Sequence, residues 1–394
     1  MPQTVPQQMR ALVYNSDARE YMSWESAFPV PDISNNEVLI KVISSSLNPF
    51  DFRVTESNSM FMGYRNSPVG CDVAGQIVKI GSHVAGFKLG DLVFGWGAGL
   101  AEFAVSDDSR IAKIPEGQTP ADFGMYPCAS VSALQMLKKH WLGRPGFQVS
   151  SILVIGAAGG VGSSVIQLAR HFGGPELKIH AVSSQVNEKY LQSIGASAVM
   201  DYSGRDFDVA TVLPQKSVDL IVDLVSGTPE GNDYVESGML LLKPSGKYIT
   251  MNTLSTLQSL SARFQQLTGT QFSNNYDLFL VNRSGSANDL AQIANLIQSH
   301  KLKLPVAEEV QFNENSLRGA FSKLKQRHAR GKFRVIVDTQ LVSAQSQSAQ
   351  PQSGQSQSGQ AQFGQQQSGQ VQSGQAQFGQ QQPGQPQSGQ FQPY

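Results

Sequence analysis

Residues 151–184 read SILVIGAAGGVGSSVIQLARHFGGPELKIHAVSS, and this stretch decides the fold. The apolar run Ser151–Ile155 is typical of a strand that is buried on both faces of a sheet. It is followed by a glycine-rich turn, a segment with apolar residues at helical spacing, and a second strand at Lys178–Ser184. A strand, a helix and a second strand in this order predict a doubly wound parallel α/β sheet.

The glycine-rich turn, GAAGGVG at residues 156–162, joins the first strand to the helix. Glycine allows a tight turn and a close approach of the backbone to a pyrophosphate, and the amides of the helix N-terminus point at the anionic oxygens. A glycine turn without a ligand is the alternative, but the strand, helix and second strand around it favour dinucleotide binding. The residues expected to contact the dinucleotide are Gly156, Gly159, Gly160, Val161 and Gly162.

The end of the second strand predicts which dinucleotide binds. NAD-binding proteins carry an Asp or Glu there, which accepts hydrogen bonds from the ribose 2′-hydroxyl and repels a 2′-phosphate. This chain has Ser183 and Ser184 instead, with Lys189 in the next helix and Tyr202 after the third strand. Hydroxyl groups and a cation suit a phosphate dianion, so we expect NADPH rather than NADH. Lys189 could also be an ordinary exposed helix residue.

The segments on either side of this sheet differ in composition. Residues 1–126 hold short β-branched and aromatic runs between Gly, Pro, Asn and Asp clusters, which predicts a small antiparallel barrel. Residues 127–278 carry the alternating strands and helices of the dinucleotide-binding domain. Residues 341–394 lack charge and repeat glycine at every fifth position, so we expect a disordered Gln/Gly/Ser-rich tail that could support weak self-association.

Composition limits the possible functions. The 394 residues include 30 Lys+Arg and 30 Asp+Glu, so the formal net charge of zero encodes no general attraction to nucleic acid or anionic lipid. Two cysteines, Cys71 and Cys128, cannot build a four-thiolate zinc site or a disulfide framework. Neither a signal peptide nor a membrane span is apparent, so we expect a reduced, cytoplasmic protein with no nucleic-acid partner.

The order of the motifs resembles a known family. Barrel strands are followed by SSLNPFDFRV at residues 45–54, PVGCDVAGQIVKIG at 68–81, the glycine turn, and RGKFRVIVD at 330–338. Together these resemble the zinc-free quinone oxidoreductase (zeta-crystallin-like) branch of the medium-chain dehydrogenase/reductase superfamily. The resemblance implies a GroES-like barrel to which residues 279–340 return, a Rossmann domain, and NADPH in the cleft between them.

The resemblance also bears on metal binding. Zinc-dependent relatives carry a ligating cysteine where this chain has Asn48, and Gly-His-Glu where it has Gly70-Cys71-Asp72. Cys128 falls near the place of a third zinc ligand in those relatives, which would suggest a metal. An asparagine amide is a poor zinc ligand, however, so we expect no metal.

The same resemblance suggests roles in the cleft. Asn48 is expected to stabilise negative charge on the substrate oxygen, although an asparagine before proline could instead cap a turn. Tyr64 lies where enoyl-thioester-reducing relatives carry a proton-donating tyrosine, although it could simply line an apolar pocket. The remaining expected cofactor contacts are Ser132 near the nicotinamide ribose, Val225 and Val281 beside the dinucleotide, and Lys332.

We therefore expect an NADPH-dependent reductase that transfers hydride to a small electrophile, either a quinone or another α,β-unsaturated carbonyl compound. An enoyl-thioester reductase is the alternative with related chemistry. An NADPH-binding structural or regulatory protein with little turnover is the alternative from a different class. A homodimer is expected because members of the resembled family are commonly dimers.

Overall fold

The computed structural model describes residues 4–15, 22–54, 64–204, 207–227, 232–251, 275–327 and 329–339. The tail that the sequence predicts to be disordered, residues 341–394, lies outside these residues. Within them, the strands in chain order are β1 (Gln8–Tyr14), β2 (Met22–Pro29), β3 (Glu37–Ser46), β4 (Asp72–Ile80), β5 (Leu92–Trp96), β6 (Phe103–Asp107), β7 (Ile111–Lys113), β8 (Ser151–Ile155), β9 (Lys178–Ser183), β10 (Ala198–Asp201), β11 (Val218–Asp223), β12 (Leu242–Thr250), β13 (Tyr276–Leu278), β14 (Val306–Gln311) and β15 (Lys332–Ile336). The helical segments are Pro49–Arg53, Pro120–Phe123, Pro127–Val131, Ser132–Leu137, Lys138–Leu142, Gly160–Gly173, Glu188–Ser193, Val235–Leu241, Ala287–Gln298 and Glu314–Lys325.

Six strands form a parallel sheet in the order β10-β9-β8-β11-β12-β13. Every residue of β8 is buried, as its continuous apolar sequence requires. The strand order is that of a Rossmann sheet, which confirms the predicted fold. The order reverses beside β8, so the glycine turn after Ile155 lies where open α/β sheets bind ligands.

The helix after the turn, Gly160–Gly173, covers the parallel sheet. Its apolar residues Val165, Leu168 and Ala169 are fully buried in the core that contains Ile152 and Val154 of β8. This burial fixes the helix N-terminus against the carboxyl end of β8. The free amides of that first helical turn therefore face the glycine turn.

A second, mostly antiparallel sheet has the order β14-β15-β3-β4-β5-β7, with β6 paired to β3. β15 pairs antiparallel with β3, so a strand from the end of the described chain joins the sheet that residues 37–113 build. This arrangement confirms the GroES-like domain. β1 and β2 form a separate two-stranded sheet.

The two sheets meet at the glycine turn. The Gly331 amide donates to the Ala158 carbonyl at 2.9 Å, and Gly159 and Gly331 form a parallel bridge. Because Gly331 directly precedes β15, the dinucleotide-binding turn is bonded to the first residues of the returning strand. The candidate site is built around this junction.

The elements that were not predicted from the sequence include β2 and the helix Glu314–Lys325. β2, MSWESAFP, was not predicted because Ser and Glu interrupt its apolar residues, and its strand geometry comes from pairing with β1. The helix Glu314–Lys325 was also missed, although its pattern was readable. Asn313 caps it by accepting from the Ser316 amide at 3.0 Å, and Leu317 and Phe321 are buried on one face.

Candidate active site

The glycine turn leaves open the space in which a dinucleotide pyrophosphate would lie. Gly156 has a φ of +80°, a conformation that glycine adopts without strain. A Cβ at Gly162 would lie 2.5 Å from the Gly156 carbonyl oxygen, so the helix packs directly on the turn. A Cβ at Gly159, in contrast, would meet nothing closer than 3.6 Å. The turn and the adjoining helix N-terminus therefore fit a pyrophosphate group.

The carboxyl ends of β9 and β10 bring three predicted cofactor residues to one edge of the parallel sheet. Asn187 Nδ2 donates to the hydroxyl oxygens of Ser183 and Ser184, at 3.0 and 3.1 Å. The Tyr202 amide donates to the Ser183 carbonyl at 3.4 Å, and the Tyr202 side chain is partly exposed. Lys189 lies exposed on the following helix. The structure thus gathers the two serines and Tyr202, whereas Lys189 extends into solvent.

An acidic residue that the sequence analysis did not consider lies at the same edge. Asp201 Oδ1 accepts from the amides of Gln185 at 3.2 Å and Ser203 at 3.0 Å. Bonds from Ser203 and then Gln185 lower the pKa of this carboxyl, so it is anionic at neutral pH. A negative charge here opposes a 2′-phosphate, and the neighbouring hydroxyl groups must outweigh it for NADPH to be preferred.

Asp72 is a fully buried carboxylate at the start of β4. Its Oδ1 accepts from the Cys128 amide at 2.6 Å. Its Oδ2 accepts from the Ser46 hydroxyl at 2.5 Å and from Asn48 Nδ2 at 2.8 Å, and it lies 3.4 Å from Lys332 Nζ. The sequence analysis noted Asp72 only as a departure from the zinc pattern. In the structure it joins Asn48 to Lys332, two predicted site residues from opposite ends of the chain.

The Lys332 ammonium neutralises this buried carboxylate beside the glycine turn. It also donates to the Leu47 carbonyl at 3.1 Å and to the Asn48 side-chain oxygen. Its methylene chain passes over the turn, since a Cβ at Gly160 would lie 2.7 Å from Lys332 Cδ. Lys332 is itself only 5% exposed, so the pair is shielded from water. The same residue therefore contacts the predicted pyrophosphate site and the Asp72 cluster.

The Asn48 side chain is bonded at both polar atoms. Nδ2 donates to Asp72, and the side-chain oxygen accepts from Lys332. Asn48 also precedes the Pro49–Arg53 helix, and its amide donates to Asp51 Oδ2 at 2.7 Å. Contact with a substrate oxygen would require Nδ2 to share or leave its bond to Asp72.

Cys71, Asp72 and Cys128 place their potential ligand atoms within 4.8 Å of one another. A catalytic zinc ion needs three protein ligands and an open fourth position. The cluster supplies two thiols, but the Asp72 oxygens already accept several hydrogen bonds, and the Asn48 oxygen is bonded to Lys332. An ammonium at this place would also repel a divalent cation. The donor set therefore does not fit zinc.

Metal analysis of the purified protein should accordingly find far less than one zinc per chain. The reason is that Lys332 occupies the place of a cation, so a metal would have to displace its ammonium from Asp72. Inductively coupled plasma mass spectrometry after dialysis measures the content. A zinc content close to one per chain that survives dialysis would contradict this prediction.

Ser132 offers a buried hydroxyl group beside the predicted cofactor site. The residue is fully buried at the start of the Ser132–Leu137 segment, and its Oγ has no hydrogen-bond partner among the described residues. A buried hydroxyl without a partner costs about 1–3 kcal/mol. A ribose hydroxyl fits as the missing partner, in agreement with the role that the resemblance suggests.

Val225 and Val281 lie on loops at the carboxyl ends of β11 and β13. Asp223 Oδ1 accepts from the Val225 amide at 2.8 Å, which fixes the first loop. Gln135 bonds both backbone groups of Asn282, each at 2.9 Å, which fixes the second loop. Both predicted contact residues are thus held at the sheet edge where dinucleotides lie in this fold.

Aromatic rings surround the remaining candidate, Tyr64. Its ring packs edge-on against Phe50 and Tyr14, with centroids 6.1 and 5.8 Å away. Arg283 Cζ lies 4.4 Å from the Phe50 centroid and 5.2 Å from that of Trp96. Tyr64 was predicted as a site residue, whereas Arg283 was not. A cation soon after the short apolar run at residues 279–281 was the signal that could have revealed it.

Comparisons with known proteins agree with this architecture. Residues 34–116 match the family model of an alcohol dehydrogenase GroES-like domain, and residues 194–335 match that of a zinc-binding dehydrogenase. The 2-methylene-furan-3-one reductase of Solanum lycopersicum is 31% identical over 345 residues, which cover 84% of this chain and 79% of that protein. The chloroplastic NADPH-dependent alkenal/one oxidoreductase of Arabidopsis thaliana is 29% identical and is covered over 80% of its length by 84% of this chain.

A solved structure shares the fold. The quinone oxidoreductase from Coxiella burnetii matches with a TM-score of 0.70 and 24% identity, over 84% of this chain and all of that one. Among the described residues, no helix combines the length and apolar character that crossing a membrane requires. The chain belongs to the medium-chain dehydrogenase/reductase superfamily, in its zinc-free quinone oxidoreductase branch.

Proposed function

We propose that this protein is an NADPH-dependent reductase that delivers hydride to an α,β-unsaturated carbonyl compound or a quinone without a metal. One observation carries the proposal: Lys332 contacts the dinucleotide-binding turn and neutralises Asp72, where zinc-dependent relatives hold their metal. The site therefore combines a place for the cofactor with a metal-free reducing centre.

The residues of the chain bind and orient the cofactor, which supplies the hydride when bound. The glycine turn and the N-terminus of the Gly160–Gly173 helix hold the pyrophosphate. Ser183, Ser184 and Tyr202 contact the 2′-phosphate, with Lys189 adding a positive charge nearby. Asn187 donates to the hydroxyl oxygens of Ser183 and Ser184. These bonds do not use the hydroxyl hydrogens of the two serines, which can therefore be donated to the phosphate. Burial of these contacts favours a single orientation of the nicotinamide ring.

The substrate oxygen gains negative charge as hydride arrives, and the chain must stabilise it. We propose that the Tyr64 hydroxyl donates the hydrogen bond that stabilises the substrate oxygen. Tyr64 lies among aromatic rings, and its hydroxyl can also donate the proton that completes the product. Asn48 acts as a positioning residue, since its side chain bridges Asp72 and Lys332. For the predicted direct contact with the substrate, Asn48 Nδ2 must donate to the substrate oxygen as well as to Asp72.

Steady-state kinetics test the proposal directly. The purified protein should oxidise NADPH in the presence of at least one member of a panel of quinones, enones, enals and enoyl thioesters. NADPH that binds tightly with no turnover on any panel member would instead favour the structural or regulatory alternative. If calorimetry shows no binding of NADPH or NADH, both the reductase proposal and the structural or regulatory alternative are contradicted.

Introducing an acid at the 2′-phosphate position should reverse the cofactor preference. Ser184→Asp places a carboxylate next to the predicted phosphate, so we expect the KM for NADPH to rise about ten- to a hundredfold and that for NADH to change little. The control Asp201→Asn removes a negative charge from the same edge and should lower the KM for NADPH. Equal KM changes for both cofactors in Ser184→Asp would contradict the assignment.

Removing the Tyr64 hydroxyl should separate the candidate substrates. Tyr64→Phe deletes the proposed acid and keeps the ring packing, so we expect a loss of about 10²- to 10⁴-fold in kcat for enones and enoyl thioesters. Quinones should be affected less, because their product oxygens can take protons from water. The control Tyr14→Phe removes a neighbouring hydroxyl that donates to the Asp51 carbonyl. Unchanged kcat values in Tyr64→Phe would mean that Tyr64 only lines an apolar pocket.

The expected homodimer, the cytoplasmic location and the self-association of the tail belong to the proposal as well. Light scattering of the full chain and of a chain that ends at Thr339 tests assembly. A dimer in both, with larger species only in the full chain, is the expected result. Fluorescence microscopy of the tagged full chain tests the location.

A further inference from the structure

Arg283 places its guanidinium group beside the rings of Phe50 and Trp96, with Cζ 4.4 and 5.2 Å from the two ring centroids. The Tyr64 ring packs edge-on against the same Phe50 ring, with centroids 6.1 Å apart. The Arg283 side chain is only partly exposed, and one residue separates Arg283 from Val281, a predicted cofactor contact. Arg283 therefore lies in the cleft, among the residues that would surround a substrate.

The loop that carries Arg283 is fixed from two sides. Trp96 Nε1 donates to the Ser286 hydroxyl at 2.9 Å, and that hydroxyl donates to the Arg283 carbonyl at 2.8 Å. On the other side, Gln135 bonds the amide and the carbonyl of Asn282. The guanidinium is thus presented by a rigid loop, and little conformational entropy is lost when it binds a ligand.

The positive charge of Arg283 has no carboxylate partner among the described residues. The Asp72 carboxylate is paired with Lys332 instead. The other buried carboxyl, Asp51, has its pKa raised to about 7 by burial, and one of its oxygens accepts from the Asn48 amide. The Cys128 hydrogen bond and burial also raise the pKa of the Cys71 thiol, which keeps it neutral. Among the described residues, the positive charge of Arg283 is therefore unmatched.

A partly buried cation without an anion pays a desolvation cost that a ligand can remove. The planar guanidinium matches a carboxylate through two parallel hydrogen bonds, and the two aromatic ring centroids lie 4.4 and 5.2 Å from its Cζ. The N–H donors at the edge of the guanidinium are the atoms that a ligand can bind. An anionic group in the plane of the guanidinium is the ligand that this arrangement fits.

We infer that Arg283 binds a carboxylate group of the substrate, so that the preferred substrates are α,β-unsaturated ketones that also carry a carboxylate. This inference rests on the proposed function for the reaction and adds the substrate class. An enolate oxygen would be a different ligand for the same cation. It exists only as hydride arrives, however, and would leave Arg283 unmatched in the ground-state complex.

A matched pair of substrates tests the inference. The anion 6-oxohept-4-enoate and its methyl ester share the same reacting double bond and differ in the distant charge. For the unmodified protein we expect a KM about ten- to a hundredfold lower for the anion. In Arg283→Met the ratio of the two KM values should fall to near one, and Arg283→Lys should give an intermediate ratio. Arg318→Met, the same change at an exposed arginine paired with Glu314, should keep the full ratio.

Two results would overturn the inference. One is an equal KM for the anion and the ester in the unmodified protein. The other is a fall in kcat by the same factor for both substrates in Arg283→Met with the KM ratio kept, which would mean that Arg283 stabilises the reacting oxygen.

Binding gives an answer that does not depend on turnover. Calorimetry with the saturated anion 6-oxoheptanoate and its methyl ester, added to protein saturated with NADP⁺, should show tighter binding of the anion, and this preference should be lost in Arg283→Met. If neither unsaturated compound is reduced, the proposed reaction fails, while the calorimetric preference still decides whether Arg283 binds carboxylates. Equal affinities would reject the carboxylate site even if both compounds are reduced.

Discussion

Replacing Lys332 by methionine should lower the free energy of unfolding by about 3–5 kcal/mol and remove most of the reductase activity. Asp72 is fully buried, and methionine would leave its charge without a cation, which is the costly way to break a buried ion pair. Activity should fall because the same side chain passes over the glycine turn and bonds Asn48. Urea denaturation at pH 7 and steady-state kinetics measure the two effects.

Two further variants make this result specific. Lys323→Met breaks an exposed ion pair with Glu308 and should cost less than about 1 kcal/mol. The double variant Lys332→Met with Asp72→Asn removes both charges and should regain part of the lost stability. If Lys332→Met were no more destabilised than Lys323→Met, the ammonium would not be the partner that keeps Asp72 charged.

The second large effect is expected from a single methyl group in the glycine turn. Gly162→Ala would place a Cβ 2.5 Å from the Gly156 carbonyl oxygen and 2.7 Å from Ala157 Cα, both of which are backbone atoms that cannot rotate away. The helix must move away from the turn, so we expect a loss of about 1–3 kcal/mol in the free energy of unfolding. The displaced amides should also raise the Kd for NADPH about ten- to a hundredfold.

The chain contains a matched control for this substitution. Gly319 lies on the exposed face of the helix Glu314–Lys325, and a Cβ there would meet no atom within 4 Å. Gly319→Ala should therefore stabilise the protein by about 0.5–1 kcal/mol and leave the Kd for NADPH unchanged. Fluorescence titration with NADPH and urea denaturation compare the two variants. Equal effects of the two substitutions would show that the turn does not bind the cofactor through close backbone packing.

The parts of the fold that depend on local sequence were predictable. The apolar run of β8, the glycine turn and the following helix lie within 34 consecutive residues, and each shows its own pattern. The serines at the end of β9 could be placed for the same reason, since the strand order fixes which sheet edge they reach. β2 was not predictable, because its strand geometry depends on β1 rather than on its own residues.

The chemistry of the cleft depends on contacts that no local pattern contains. Asp72 and Lys332 meet because β15 returns to β3, and nothing near either residue in the sequence indicates the other. The use of Asn48 as a bridge between them follows from that meeting. Arg283 is an intermediate case, because a cation a few residues after β13 was visible in the sequence, while the two aromatic rings beside it come from distant segments.

The bond between Gly331 and Ala158 has a consequence for the synthesis of the protein. A nascent chain on the ribosome that has emerged only as far as residue 330 already holds every strand of the parallel sheet, but it lacks the Lys332 ammonium and the strand that seals the turn. Asp72 in such a chain has no cation and must stay hydrated. We therefore expect products that terminate before β15 to lack both the Lys332–Asp72 ion pair and the bonded glycine turn.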